Sequence, residues 1–229
     1  HPITPTDVLG IHLDDILHQH AADLLDHEAT TQLVNQLHAH TPQIIDEVIP
    51  NLISMAQLQQ ILQQLLAQNI SIRSLPTIFE VIARHGPHES HPIILTEHIR
   101  ARLGRTICQS FSAFETASFI SICPQTEQFI EHAMRFTHTD LDVDVSTAFS
   151  HQFCRQIERA ERRDPQIVAV VVNPSIRAAA QQLAGRHRLR LPILTSAEIP
   201  NDLKIRAGPE LSITSHMPPP VPLHEQLVS

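Results

Sequence analysis

The chain has 229 residues, enough for one large or two small domains that would bury about 70% of the surface the unfolded chain exposes, with no need of staples. Hydrophobic residues at 42% and charged residues at 17% describe an ordinary globular protein. A formal net charge of -8 argues against a nucleic-acid partner, whose phosphates need a basic surface.

There is no tryptophan or tyrosine, so the core must be built from Leu, Ile, Val, Ala and eight Phe. Cys108, Cys123 and Cys154 are odd in number, widely spaced and lack a CxxC pattern, which reads as free buried thiols in a reducing compartment. No apolar run approaches the ~20 residues needed to span a bilayer, and no signal peptide is present. The first residue is His1 rather than methionine, which suggests an excised piece of a longer protein.

In chain order, residues 1–5 form an extended lead-in. Thr6 or Asp7 caps a helix running to about Asp26, with Leu9, Leu13, Ile16 and Leu17 on one side. A second helix covers about Glu28 to His40. Thr41-Pro42 then caps a short helix that stops ahead of Pro50. Ser54 and Gln57 make a capping box for the helix Met55 to Gln68, which has one glutamine face and one apolar face and ends at Asn69. Ile70 to Ile72 is the only extended segment of this half. Ser74 offers an oxygen to the next helix, Pro76 sits where its missing N–H costs nothing, and Gly86 supplies a left-handed stop. The last helix starts at Pro92 and lays Leu95, Ile99 and Leu103 along one stripe, with charged residues flanking it. About six helices packed on one core are expected over residues 1–112.

From Ile107 the pattern changes. Cys108 to Glu115 reads as a helix tail plus a turn, and Ala117 to Cys123 as a strand stopped by Pro124. A helix over Thr126 to Arg135 and an acidic loop (Asp140, Asp142, Asp144) follow. Asp144 or Ser146 starts a further helix carrying Phe149, Phe153, Ile157 and Ala160, which Asp164-Pro165 breaks. Ile167 to Val172 is the unbroken apolar run of a strand covered on both faces. Asn173-Pro174 caps a helix that ends at Gly185, and Leu191 to Leu194 and Leu203 to Arg206 read as strands. The expected fold class is therefore α plus α/β: an all-helical subdomain followed by a small α/β sheet subdomain over 113–210. Residues 211–229 with MPPPVP read as a Pro-rich disordered tail.

The chemistry-bearing residues do not assemble into a strong motif. His85, His88 and His91 make H-x2-H-x2-H in a Gly-Pro loop and are weak metal candidates, with only Glu89 nearby and no cysteine. His18/His20 and His38/His40 are spaced to face different sides of a helix, and His12 with Asp15 reads as a surface contact. The acidic stretch from Asp140 to Asp144 lacks the glycine and closing glutamate of an EF-hand loop. Asn173-Pro174-Ser175 offers no phosphate cradle, and GxSxG and HExxH are absent. The reading is a non-enzyme with no cofactor and no metal.

Three stretches carry a resemblance. "SIRSLPTIFE" followed by a Gly-Pro loop and "LTEHIRARLGRTIC" resembles the third cytoplasmic subdomain of the type III secretion export-gate family, the large inner-membrane proteins of flagellar and injectisome machines. The upstream "HLDDILHQHAADLL…QLVNQL…IIDEVIPNLISMAQLQQILQQLL" and the downstream "VVVNPSIRAAAQQLAGRHRLRLPILTSAEIP" are similar to it in the same order, so the likeness covers about residues 6 to 207. The resemblance implies a homo-oligomeric ring module on the cytoplasmic face of the bacterial inner membrane, of an injectisome rather than a flagellum. It also implies that membrane contact comes only through a missing N-terminal region, this fragment being soluble. The implied partners are copies of itself, secretion chaperones and export substrates, the stalk of the ATPase complex and gatekeeper proteins, but not nucleic acid. Matched to the motif, Asp46, Glu47, Arg73, Glu97, Arg100, Arg102 and Arg105 are the candidate ring-interface residues. With earlier subdomains missing, the fragment by itself is expected to be monomeric or weakly self-associating. The alternatives are a stand-alone helical adaptor with a histidine-linked metal or pH response, and a hydrolase using His and Asp.

Overall fold

Apolar residues recurring every three to four positions in the first half of the chain produce a set of short helices around one core. In a computed structural model of the protein, the described residues are 20–113 and 116–213. The expected lead-in, most of the first helix with His12, Asp15 and His18, and the tail from Thr214 lie outside them.

After a short helical stretch over residues 20–24, α1 (His27–His38) starts where Asp26 accepts a hydrogen bond from Ala29 N. Then come α2 (Pro42–Val48), α3 (Met55–Ala67), α4 (Leu75–His85) and α5 (Pro92–Ile107). Ser54 and Gln57 form the expected capping box on α3, and Asn69 takes the left-handed φ of 56° that ends it. The core of this unit gathers Val34, Ile45, Leu58, Ile61, Phe79 and Ile99, each buried. Every such Leu or Ile contributes about 1.5–3 kcal/mol by leaving water.

Three local expectations are corrected. Of the expected Ile70–Ile72 extended segment, Ser71 is extended (φ -66°, ψ 128°) but Ile72 already opens a 3-10 turn, Ile72–Ser74. Arg73 N in that turn donates to Ser71, and Ser74 makes no side-chain cap on the helix that follows. Thr41 makes no side-chain cap; its hydroxyl donates to Leu37 O. Gly86 is right-handed (φ -54°), so it is not a left-handed stop. A Cβ there would lie 3.1 Å from Leu52 Cβ, so close packing is what the missing side chain provides.

The second unit is built on a four-stranded, all-parallel sheet. Its strands are β1 (Ala117–Ile122), β4 (Ile167–Val171), β5 (Ile193–Leu194) and β6 (Ile205–Leu211), in the order β5-β4-β1-β6. α6 (Pro124–Ala133), α7 (Thr147–Arg163) and α8 (Arg177–Arg186) cover it, with Phe149, Phe153 and Ile157 of α7 buried as expected. Both central strands are buried, the pattern of a sheet enclosed by helices. β6 is an edge strand, which lets it continue through Gly208-Pro209 beyond the expected end. A Cβ at Gly208 would come 2.3 Å from Phe119 O, at a register irregularity between β1 and β6.

The acidic loop is corrected too. Residues expected to form the helix end and loop instead make a hairpin of β2 (Met134–Phe136) and β3 (Leu141–Val143), in which Leu141 and Val143 are buried and Asp142 is exposed. The units do not meet at a single boundary. The helical unit takes residues up to Ala113, plus Phe136–Leu141 and Thr195–Leu203; the α/β unit takes Phe114–Arg135, Asp142–Leu194 and the residues from Lys204 on. Beside the expected division into 1–112 and 113–210, Phe136–Leu141 and Thr195–Leu203 group with the helices.

Candidate interaction surface

α5 is amphipathic in an unexpected way. Beside the predicted stripe of Leu95, Ile99 and Leu103, the positions Thr96, Arg100 and Gly104 are also buried. Arg100 is thus turned inward. Its Nη2 lies 2.7 Å from Glu198 Oε1, and its Nη1 donates to Gln68 Oε1 at 2.6 Å. Both side chains of the pair are 3% exposed or less. The 2.7 Å approach is an ion contact without hydrogen-bond angles. Glu198 Oε2 takes the well-angled bonds, from Thr195 N at 2.6 Å and Thr195 Oγ1 at 3.2 Å.

The Thr195–Leu203 segment reaches α5 because Gly104 lets it in: a Cβ there would stand 2.3 Å from Glu198 O. Cys108 Sγ donates to the same carbonyl at 3.4 Å. Burial first, then the Glu198 charge, push that thiol up to about 11 against the opposing effect of Arg100. Only the two seats of this lock, not their meeting, leave a mark in the sequence. A Thr-Arg-Gly row at i, i+4, i+8 with a glycine inside a helix, and a T-x-x-E box at Thr195, are its signals.

The seven candidate interface residues therefore separate. Arg100 is removed from the set, since a buried, paired guanidinium has no face to offer a second copy. Asp46 (70% exposed) pairs with His38 at 3.0 Å, and Glu47 is exposed beside it. Arg73 and Arg102 are exposed, and Glu97 is half-buried. Arg105 meets Asp202 at 3.1 Å, and that hydrogen bond, then the backbone amide of Asp202 and the Arg105 charge, hold the exposed carboxyl below its ordinary value.

The histidine loop does not converge. His85 stacks on His98 with ring centroids 4.0 Å apart and planes 9° from parallel. Burial first, then the charges of His98, Arg84 and His88, lower its pKa from 6.5. His91 instead caps α5, accepting from Ile93 N at Nδ1 (3.3 Å) and bonding Thr137 O through Nε2 (3.0 Å). Among the described residues no three His, Cys, Asp or Glu side chains are arranged to hold a metal ion. None of their helices is long and apolar enough to cross a membrane.

The chain thus comprises a helical unit with a charged exterior and a buried ionic lock, interleaved in sequence with a parallel α/β unit. The chain belongs to the FHIPEP family, whose profile matches residues 1–204. It is similar to the flagellar biosynthesis protein FlhA of Bacillus subtilis (strain 168), 27% identical over 210 residues that cover 90% of this chain and 31% of that protein. It is also similar to the harpin secretion protein HrpI of Erwinia amylovora, 21% identical over 212 residues covering 92% and 30%. The chain thus spans less than a third of the length of these curated relatives. Its fold is shared with the Chlamydia pneumoniae CdsV protein (TM-score 0.82, 21% identical, 91% of this chain and 61% of that one) and with nonameric EPEC SctV-C (TM-score 0.78, 20% identical, 90% and 63%). The resemblance read from the three motifs and the expected α plus α/β class are both found.

Proposed function

We propose that this chain is the C-terminal part of the cytoplasmic domain of a type III export gate. It acts by contact rather than catalysis: copies of the longer protein assemble into a ring, and that ring presents a surface to chaperone–substrate complexes, gatekeeper proteins and the ATPase stalk. The observation that carries the reading is the family match over residues 1–204, supported by the shared fold with nonameric SctV-C and with CdsV, which has also been solved with CdsO. Within the ring, exposed Asp46, Glu47, Arg73, Arg102 and Arg105, with half-buried Glu97, are the contact residues. Opposite charges on one module can meet those of the next copy in a head-to-tail contact that closes.

The test is a graft. The chain replaces its counterpart in the EPEC SctV cytoplasmic domain, and assembly is read by light scattering. A ring that forms, and that Asp46→Arg with Arg73→Glu weakens at least several-fold, supports the reading. A graft that folds but stays monomeric, or a ring indifferent to every one of these residues, overturns it. The chain by itself is expected to scatter as a monomer or a weak self-associate.

A further inference from the structure

α7 has two faces of opposite use. Phe149, Phe153, Ile157 and Ala160 point into the α/β unit and are buried. The other face carries Arg155, Arg159, Arg162 and Arg163, all exposed, at i, i+4, i+7 and i+8, the spacing of one continuous stripe about 12 Å long. Arg162 reaches Glu158 only at 3.9 Å, while itself 80% exposed. Among the described residues, Arg155, Arg159 and Arg163 have no ion-pair partner. Favourable interaction with the negative end of the helix accounts for basic residues in the last turn, Arg162 and Arg163, but not for Arg155 and Arg159 further back.

The charge is local to this unit. Its described residues carry eleven Lys and Arg against eight Asp and Glu, whereas those of the helical unit carry five against eleven. An acidic chain that concentrates arginine on one exposed helix face sets like-charged side chains on neighbouring positions, their Cβ atoms about 5–6 Å apart, a mutually repulsive arrangement that an anionic partner relieves.

We propose that the outer face of α7 is a docking strip for an acidic segment of another protein, with Arg155 and Arg159 at its centre. Charge complementarity selects an anion, and the shape of the strip selects its class. It is one helix wide and bordered by Glu158, so it fits a narrow chain whose carboxylates take bidentate guanidinium bonds. A nucleic acid or an anionic membrane would extend beyond the strip onto a molecule of net charge -8, and no tyrosine or tryptophan is present to stack on bases. This surface lies on the α/β unit and does not depend on whether the helical unit builds a ring.

The test uses the 229-residue chain and a fluorescein-labelled 18-residue helical peptide with glutamate at every third and fourth position, read by anisotropy in 50 mM salt. Companion probes are the same peptide with glutamine for glutamate, a 12-base-pair DNA duplex, and phosphatidylserine vesicles. Arg155→Glu/Arg159→Glu is compared with the milder Arg155→Gln/Arg159→Gln, and with Arg84→Glu on the other unit as control; circular dichroism checks that each folds. The expected result is binding of the glutamate peptide only, weakened at least about tenfold by the reversal, less by the glutamines, and unchanged by the control. Glutamate-peptide binding that is absent, or that ignores both double variants, overturns the proposal. So does tighter binding of DNA or vesicles through the same two arginines.

Discussion

Arg100 and Glu198 are two opposite charges taken out of water, which costs several kcal/mol per ion and is recovered only through their mutual attraction and the added bonds from Gln68 and Thr195. Removing one partner leaves the other charge buried alone. Arg100→Met and Glu198→Gln are each expected to lower unfolding stability by about 3–5 kcal/mol, and the double variant by clearly less than their sum. Urea denaturation of the four proteins measures the coupling, and strict additivity would show that the contact carries none. His85 makes a pH prediction. Its folded-state pKa lies below 6.5, so the unfolded chain binds more protons near that pH. The stabilising contribution is complete above about 6.5 and is lost as pH falls through the lower folded value. Urea midpoints between pH 7.5 and 5 should fall for the native protein and fall less for His85→Gln; equal slopes would assign the acid sensitivity to other groups.

At the scale of elements, α3 is the frame of the helical unit. Spacing alone reads its glutamines as one polar face, yet together they tie the helix to four other segments. Gln59 and Gln63 both donate to Leu25 O, Gln57 donates to Ser90 O and Gln60 to Thr139 O, while Gln64 accepts from Thr96 and Gln68 from Arg100. An amide is uncharged and long enough to satisfy a distant backbone carbonyl without the desolvation cost of an ion. α3 itself is set by its capping box, and Ser54→Ala should cost about 1 kcal/mol in thermal or urea unfolding. α5 is limited instead by space. Gly104→Ala must push its methyl against Glu198 O, and a loss of about 1–3 kcal/mol is expected where a surface helix glycine would gain from the same change. An unchanged or raised denaturation midpoint would mean that the Thr195–Leu203 segment yields freely.

On the scale of the whole molecule, the three thiols report how tightly both units close. Cys108, Cys123 and Cys154 are all buried and free. Burial and then the Glu158 charge push Cys154 up to about 12, as burial and Glu198 push Cys108 to about 11. Burial also acts to raise Cys123, but hydrogen bonds from the side chains of Ser212 and Thr126 and from the backbone at Thr126 and Gln125 bring it below its ordinary value. A thiol reagent at pH 7.5 should therefore modify the native protein slowly at Cys108 and Cys154, with Cys123 reacting first once its site opens, and all three rapidly in urea. Prompt labelling of Cys154 in the folded protein would contradict the packing of α7 against α8.

The helices of the first half, the parallel sheet of the second and the family were all readable from residue order. Helical periodicity, a capping box at Ser54, an unbroken Ile-Val run at Ile167–Val171 and three colinear motifs are local signals, written within a few turns of chain. What tertiary structure alone decided is which charges face outward and where short segments belong. Arg100 and Arg102 sit two residues apart with the same chemistry, and only the approach of Glu198, 98 residues from Arg100, buries one and leaves the other in water. Likewise Thr195–Leu203 reads as a connection between strands until Gly104 gives it a seat on the helices. Periodicity records how a residue relates to its own helix; burial of a charge depends on a partner that the spacing of its own helix does not encode.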